Sequence, residues 1–525
     1  MDGAQLYNGE HPDVSAGKPG LNFVFGWPLV RNKDDWELRQ DKIIAGHPPR
    51  HLLTVAPTRA GKGVSLIIPN LLTYTNSVIV IDPKGENAWL TAAHRQDRLK
   101  HNVIVVDPWG EVQRRYGDAA ETEVKTSRYN PLAFLHPGDP NYADDLGYIA
   151  DALIIDQGKD PHWPDSAREL VAGLIAFVVE KPELRPLASL GLVRQLLCGT
   201  SAEIQTMAED AKTLGEDSVA ARKLGRFAGD GGRETDSILS TARTQTAFLD
   251  SVTLQKSMEA SDFEFENLLA VKTTIYLVLP VDKLQTYGRW LRLLISIAIR
   301  AVVRDLDKDY AAVLFILDEF GTIGRLNAVS QAYGLMAGMG MKLWAFVQDL
   351  HQLKRDYPDE WETFIANSSE VIVFGAMDQF TCEYFSKMAG DKEVKRASGE
   401  TVFQPLVRPD EFRRMASHQC AIFGMHDPKY AQLLSYYGDK LFAGLARPFG
   451  RKKAVPDAAA LKALDDPEAA RAALELYGYK IKSTWLGGYT VIAPGSAEKQ
   501  VFKADGDLTR YAKKELAGKP IPTKG

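Results

Sequence analysis

The segment Leu53-Thr54-Val55-Ala56-Pro57-Thr58-Arg59-Ala60-Gly61-Lys62-Gly63-Val64 sets a glycine and a lysine directly after a short apolar run. It reads as a strand, a tight loop and the start of a helix. Gly61 lets the backbone pass close to a polyphosphate, so that successive N–H groups and the helix N-terminus face the anion. Lys62 is then placed to reach the β- and γ-phosphates. The usual pattern is G-x-x-x-x-G-K-[ST]. Here Ala56 holds the first glycine position, and Gly63 stands where a hydroxyl would bind Mg²⁺. Taken alone, the stretch Pro57, Thr58, Arg59, Ala60, Gly61, Lys62, Gly63 and Val64 is a phosphate-binding loop or an ordinary glycine turn, in about equal measure.

A second segment favours the phosphate reading. Val313-Leu314-Phe315-Ile316-Leu317 is a run of five apolar residues that ends in Asp318-Glu319. Such a run predicts a buried parallel strand with two acids at its carboxyl edge, where open α/β sheets bind ligands. Asp318 is placed to hold Mg²⁺, usually through water, and Glu319 to orient or deprotonate an attacking water. The alternative is a strand that stops in a solvated Asp-Glu turn. Lys342-Leu343-Trp344-Ala345-Phe346-Val347 runs into Gln348. That Gln is either a γ-phosphate sensor or a polar strand end.

These side chains need a sheet to gather them. Ser77 to Ile81 runs into Asp82-Pro83-Lys84-Gly85-Glu86, and Val103 to Val106 runs into Asp107-Pro108. In each case proline stops a strand with an Asp at its end. Thr274 to Leu279, Val371 to Phe374 and Ala421 to Phe423 add further strands. Val64, Ile67, Ile68 and Leu71 follow one helical face after the loop, and Pro69 is expected to kink or end that helix. The expected fold class is α/β, a large, doubly wound, mainly parallel sheet with acids and amides along one edge.

In order, Ala56 to Gly63, Ile68 to Leu72, Asp82 to Glu86, Tyr129 to Leu132, Ser240 to Thr244, Leu317 to Gly321 and Gln348 to Leu350 form a set more specific than any one motif. Together they resemble the TraG-type coupling proteins of type IV secretion, a branch of the FtsK-like P-loop ATPases. The resemblance covers roughly residues 20–440. It implies a RecA-like P-loop nucleotide-binding domain with an inserted all-α domain. It also implies hexameric rings that hydrolyse ATP with Mg²⁺ and hand relaxase-bound single-stranded DNA or effector proteins to a secretion channel at the bacterial inner membrane. Within this family Gly commonly stands at the Gly63 position.

Two departures from the family matter. Many relatives carry a two-helix membrane anchor before the first strand, whereas no run here reaches the roughly 18 apolar residues of a spanning helix. The expectation is either a shortened chain or a member without an anchor, lying in the cytoplasm and reaching the membrane through partners. The first residues, with Gly, Asn, Asp and Pro, resemble neither a signal peptide nor a basic targeting arm. Some relatives also have an arginine finger just before the strand that ends in the sensor Gln. Residues 334–340 contain no Arg, which leaves Arg325 or Arg243 as finger candidates, each also readable as a surface or ion-paired arginine.

Composition suits a large soluble enzyme. The chain has 525 residues, 45% hydrophobic and 25% charged, with a net charge of −5. That balance gives no global pull toward DNA. Cys198, Cys382 and Cys420 lie far apart. They supply neither a disulfide framework nor metal spacing and are expected in the core. The ten His show no zinc-binding pattern.

The texture divides the chain into a lead-in (1–45) expected to form a short hairpin or edge strand, the first half of the nucleotide domain (46–140), a helical insertion (141–260), the second half (261–440) and a tail (441–525). In the insertion Leu170, Leu174, Phe177 and Val178 share one face. Arg222 to Phe227 mixes basic and aromatic residues, which suits a solvated helix face better than a nucleic-acid contact. Residues 229–232 read as a flexible loop. From Arg451 onward the tail holds 14 Lys and Arg against 9 Asp and Glu. It is expected to form a short helix from Asp466 to Tyr477 and a hairpin over 484–492.

The expected activity is ATP hydrolysis coupled to substrate movement. Two other readings stand beside it: an ATP-binding receptor for secreted proteins with little DNA coupling, and a DNA translocase outside secretion.

Overall fold

The computed structural model describes the chain except residues 1–4, 9–22, 33–34, 40–41, 47, 119, 121, 156–160, 230–231, 305–311, 336–339, 453–463, 477–478, 484–487, 494–498 and 517–525. Contacts divide it into two units. One comprises residues 1–115 and 125–449; the other comprises 116–124 and 450–525.

In chain order the strands are β1 (Gln5–Asn8), β2 (Phe23–Asn32), β3 (Asp35–Leu38), β4 (Lys42–Gly46), β5 (His51–Val55), β6 (Val78–Asp82), β7 (Asn102–Val106), β8 (Thr122–Glu123), β9 (Thr273–Val278), β10 (Val313–Leu317), β11 (Met341–Val347), β12 (Ser368–Val373), β13 (Asp391–Lys395), β14 (Thr401–Pro405), β15 (Gln419–Phe423), β16 (Lys429–Gln432), β17 (Arg451–Lys452), β18 (Lys480–Ser483), β19 (Tyr489–Ile492) and β20 (Lys499–Phe502).

The apolar runs become the centre of the sheet. β12-β5-β11-β10-β6-β9-β7 lie side by side, and every pair among them is parallel. All residues of β5, β6, β9 and β10 are buried, as helices on both faces of a parallel sheet require. Each Leu, Ile, Phe or Val so buried contributes roughly 1.5–3 kcal/mol. Beyond β12 the sheet continues antiparallel through β15, β16, β2, β4 and β1, with β3 beside β2. The sequence suggested only a hairpin or edge strand in the lead-in. The pairing partner of β2 is β16, some 400 residues away, and no local pattern carries that information.

Within residues 141–260 the described chain is helical. The helix His162–Glu180 is buried nearly all round, with Leu170, Leu174, Phe177 and Val178 inside. A Cβ on Gly173 would lie 2.7 Å from the Leu224 side chain, so glycine permits the close approach of the helix Val219–Leu224. These helices share one hydrophobic core with the sheet. Lys223 pairs with Glu169 at 3.0 Å, and Arg226 pairs with Glu234 at 3.4 Å. The basic stretch is thus an ion-paired, solvated face. The 229–232 loop lies partly outside the described residues.

Two expectations are corrected. Pro69 does not end the helical run, which continues to Thr73. A π-helical turn, Gly63–Ile67, comes first, in which the Ile68 N–H donates to the Gly63 carbonyl. Pro69 then sits in the opening turn of the helix Ile68–Thr73, where its missing N–H is tolerated. Cys382 and Cys420 are buried, but Cys198 is exposed, at the C-cap of the helix Leu190–Leu197. No described helix is long and apolar enough to cross a membrane.

In the second unit β17 pairs with β8, and β18, β19 and β20 form a three-stranded antiparallel sheet. The helix Pro467–Leu476 starts with its proline, as the sequence suggests. The hairpin is shifted: its first strand is Lys480–Ser483, earlier than expected, and residues 484–487 lie outside the described set.

Candidate nucleotide site

The parallel register brings the expected residues to one edge. Val55 pairs with Val347, and Leu317 pairs with Ala345. The loop after β5, the acids after β10 and Gln348 after β11 therefore leave the same side of three neighbouring strands. Two strand spacings, about 10 Å, separate β5 from β10. Lys62 and Glu319 bridge that gap.

The loop has a defined shape. The Ala56 N–H still donates to the Val347 carbonyl (2.9 Å), so the ladder continues one residue past β5. A turn then closes with Ala60 N–H to Pro57 O at 3.3 Å, and Ser65 N–H donates to Gly61 O at 2.9 Å. Arg59 (φ 64°) and Gly61 (φ 96°) both adopt left-handed backbone. Left-handed residues set among right-handed ones turn successive N–H groups to one side, the build of an anion nest. Thr58 and Arg59 are exposed; Pro57, Ala60, Gly61, Gly63 and Val64 are half-buried. The loop's back rests on Gly375 after β12. A Cβ there would stand 3.4 Å from both Ala60 and Pro57, and its φ of +65° itself favours glycine.

Lys62 is 7% exposed, and its ammonium has no hydrogen-bond partner. Its nearest anion is Glu319, with Nζ to Oε1 at 3.7 Å. A buried cation with an open coordination shell suits an incoming phosphate oxygen, and by that test the loop fits a nucleoside triphosphate. A Cβ on Gly63 would meet nothing within 4 Å. The space of the usual hydroxyl is therefore present although the group is not.

Glu319 takes left-handed backbone (φ 55°), unusual for a side chain with a Cβ. Its Oε2 accepts from Gln348 Nε2 at 3.3 Å. The Gln348 N–H in turn donates to Gln352 Oε1 at 2.9 Å. Gly321 makes room for this support, since a Cβ there would come within 2.0 Å of the Gln352 side chain. Lys62, Glu319, Gln348 and Gln352 thus form a continuous polar chain.

Asp318 is half-buried, and its Oδ1 accepts the Glu319 N–H at 3.0 Å. Burial pushes its carboxyl up to about 6, and Glu319 adds to the rise; Lys62 and Lys84 pull the other way. Beside it the structure places Asp82, which sequence reasoning left as a strand terminus. Asp82 is 1% exposed and accepts the Ala88 N–H at 2.8 Å, at the start of the helix Glu86–Asp97. Burial pushes its carboxyl up to about 7, with Asp318 and Glu86 adding to the rise. The motif Asp-Pro-Lys-Gly-Glu held a signal for this neighbour, but only the β6–β10 pairing sets the two acids close.

Two further side chains anchor the loop's helix. Asn70 accepts the Val24 N–H (2.9 Å) and donates to the Val24 carbonyl (2.8 Å), mimicking a strand against β2. Fully buried Arg95 donates to the carbonyls of Leu71 (2.6 Å) and Tyr74 (2.8 Å), at the C-terminal end of the helix Ile68–Thr73. Cations are favoured at that end.

The two finger candidates are both held within the chain. Arg325 pairs with Glu360 at 3.0 Å and lies over the Tyr357 ring. Arg243 donates to the carbonyls of Leu197 and Gly199, where the helix Leu190–Leu197 ends. Among the described residues there is no cluster of three or more His, Cys, Asp or Glu that could hold a metal ion.

The chain is similar to several known proteins. The chain is 28% identical over 452 residues to the conjugal transfer protein TraG of Escherichia coli, which covers 78% of this chain and 67% of that protein. It is 28% identical over 417 residues to the protein VirD4 of Agrobacterium fabrum (strain C58 / ATCC 33970), covering 75% of this chain and 60% of that one. The matched part is thus about two thirds or less of these relatives' length. Among solved structures, the plasmid coupling protein TrwB in complex with the non-hydrolysable GTP analogue GDPNP superposes with a TM-score of 0.58 at 19% identity, covering 74% of this chain and 86% of that one. TrwB in complex with ADP and Mg²⁺ gives 0.57 at 19% identity, covering 74% and 85%. These likenesses establish the fold: an α/β, RecA-like P-loop arrangement around a mostly parallel sheet. The family described as type IV secretory system conjugative DNA transfer matches residues 22–462, most of the chain, and the chain belongs to that family.

Proposed function

We propose that the chain is the nucleotide-driven coupling ATPase of a type IV secretion system, moving DNA or DNA-bound protein toward the secretion channel. The observation that carries this reading is the buried Lys62 ammonium, free of hydrogen bonds, at the foot of a left-handed loop and 3.7 Å from Glu319. A lysine so placed is costly unless an anion completes its shell.

The loop from Pro57 to Val64 binds the phosphates of ATP through its N–H groups, and Lys62 neutralises charge on the γ-phosphate. Asp318 would hold Mg²⁺, which would supply further neutralisation of the phosphate oxygens. Glu319 orients and deprotonates the attacking water, released for that task when a phosphate takes its place beside Lys62. Gln348, already hydrogen-bonded to Glu319, reports the γ-phosphate to β11. The nucleotide and Mg²⁺ complexes of TrwB support ATP and Mg²⁺ as the ligands by analogy of fold.

The active form is a homo-hexamer at the inner membrane, working with a relaxase–DNA complex or effector proteins and with channel components. Family membership supports these partners. The deciding experiment is steady-state ATPase of the purified chain with and without single-stranded DNA, across salt, beside Glu319→Gln. Stimulation that fades with salt and is lost in the variant is expected. ATP binding with no DNA response would instead favour a receptor for secreted proteins.

A further inference from the structure

The second unit presents a basic face that nucleotide chemistry does not use. Its helices Pro467–Leu476 and Asp505–Glu515 build a core with Ile481, Val491, Leu508 and Ala512. The strand register sorts the sheet into two faces. Ile481, Val491 and Gln500 pair across one row, and Ser483, Tyr489 and Phe502 across another. That face meets the helices: the Tyr489 hydroxyl donates to Asp505 (2.8 Å), and Phe502 lies against Tyr511.

The alternate rows point the other way. They are Lys480, Ile492 and Lys499, and then Lys482, Thr490 and Val501. Among the described residues of these rows there are three lysines and no acid. All three are exposed, and among the described residues none makes a hydrogen bond or ion pair. Of the basic residues on the helices, Lys514 is also unpaired among the described residues, but the others differ. Arg471 pairs with Glu475 (3.0 Å), Arg510 with Asp507 (3.6 Å) and Lys513 with Asp465 (2.5 Å). Residues 451–525 carry 14 basic residues against 9 acids in a chain of net charge −5, and among the described residues the sheet face gathers three of the unpaired lysines. Val501, 66% exposed, adds an apolar contact beside the lysines.

We propose that this face binds single-stranded DNA through its phosphodiester backbone, an inference that rests on the DNA-transfer reading above. Lys480 and Lys482 stand two residues apart on one strand, about 7 Å, and Lys499 lies two strands away, about 10 Å. A patch of this size contacts one sugar-phosphate backbone at a time. No aromatic side chain lies in these two rows, so bases are not stacked and binding is independent of sequence.

The test uses the full chain with Lys480→Ala, Lys482→Ala and Lys499→Ala combined, and a fluorescent oligothymidylate titrated by anisotropy across salt. Each lost phosphate contact on a single strand removes about 0.7 from the slope of log K against log salt, so the slope should fall by about 2. The charge-preserving Lys→Arg triple should keep the wild-type slope. Single Lys480→Gln and Lys499→Gln variants, each expected to lose about 0.7, serve if the triple does not fold. An unchanged slope in a wild type that binds DNA overturns the inference and leaves the ATPase reading standing. Equal effects on duplex and single strand overturn the assignment to one strand, and loss of an acidic protein partner with DNA binding intact overturns DNA as the ligand. A wild type that binds no DNA at any salt overturns the DNA-transfer reading itself, and this inference with it.

Discussion

Replacing Lys62 with Met separates what the lysine does for the fold from what it does for the ligand. At 3.7 Å from Glu319, attraction at an effective dielectric of 20 amounts to about 4 kcal/mol. Against this stands the desolvation of an ammonium that makes no hydrogen bond, which costs several kcal/mol. Glu319 keeps a side-chain exposure of 21% and its bond to Gln348, so it can recover water when the lysine leaves. The terms nearly cancel. Lys62→Met should change the stability of the nucleotide-free chain by no more than about 1 kcal/mol, a melting shift of at most about 4 °C. The effect on the ligand is different. Losing a preorganised charge at a phosphate should lower turnover at least ~100-fold. If ATP affinity falls ~100-fold, the stabilisation of about 2.7 kcal/mol that wild type gains at 100 times its Kd shrinks to about 0.4. Thermal melting with and without Mg-ATP, beside a phosphate-release assay, reads both quantities. Destabilisation of about 3–5 kcal/mol, the scale of a broken buried ion pair, would show the lysine to be a structural bridge. Near-wild-type turnover would refute its catalytic placement.

Glu319→Gln should still gain stability with Mg-ATP yet hydrolyse it at least ~100-fold more slowly; undiminished steady-state turnover would remove Glu319 from the mechanism. Gly375→Ala places a Cβ against Ala60 and Pro57 and forces a φ of +65° on an L-residue. It should cost roughly 1–2 kcal/mol and raise KM for ATP, and an unchanged melting temperature together with an unchanged KM would contradict the packing argument. Asp82 is held at about 7, against 3.8 for an unburied Asp. The folded chain therefore keeps a proton that the unfolded chain has released. The resulting stability is fully present below about pH 4 and is lost as pH rises through about 7. Asp82→Asn removes this dependence, so melting curves from acid to neutral pH should be flatter than wild type; parallel profiles would refute the assignment.

Several features were settled by local sequence. The apolar runs ending at Asp82, Asp318 and Gln348 had to be buried strands, because five consecutive large apolar residues cannot be left in water. Gly61 marked the loop because few residues accept its left-handed backbone, and Lys62 because its charge follows directly after it. The ordered motifs gave the family. Other features depended on chain segments far apart in sequence. The Asp82–Asp318 neighbourhood follows from the pairing of β6 with β10, and the support of the loop by Gly375 from the placing of β12 beside β5. The antiparallel extension joins β2 to β16, and the tail takes residues 116–124 as part of its own unit. Arg243, a finger candidate by residue type, turned out to hold two helix-end carbonyls. The physical reason is common to all of these. Burial pattern and backbone permissiveness are properties of a few adjacent residues and are written locally. Register, buried charge and the pKa values that follow depend on which distant surface covers a group, and that is decided only when the chain closes on itself.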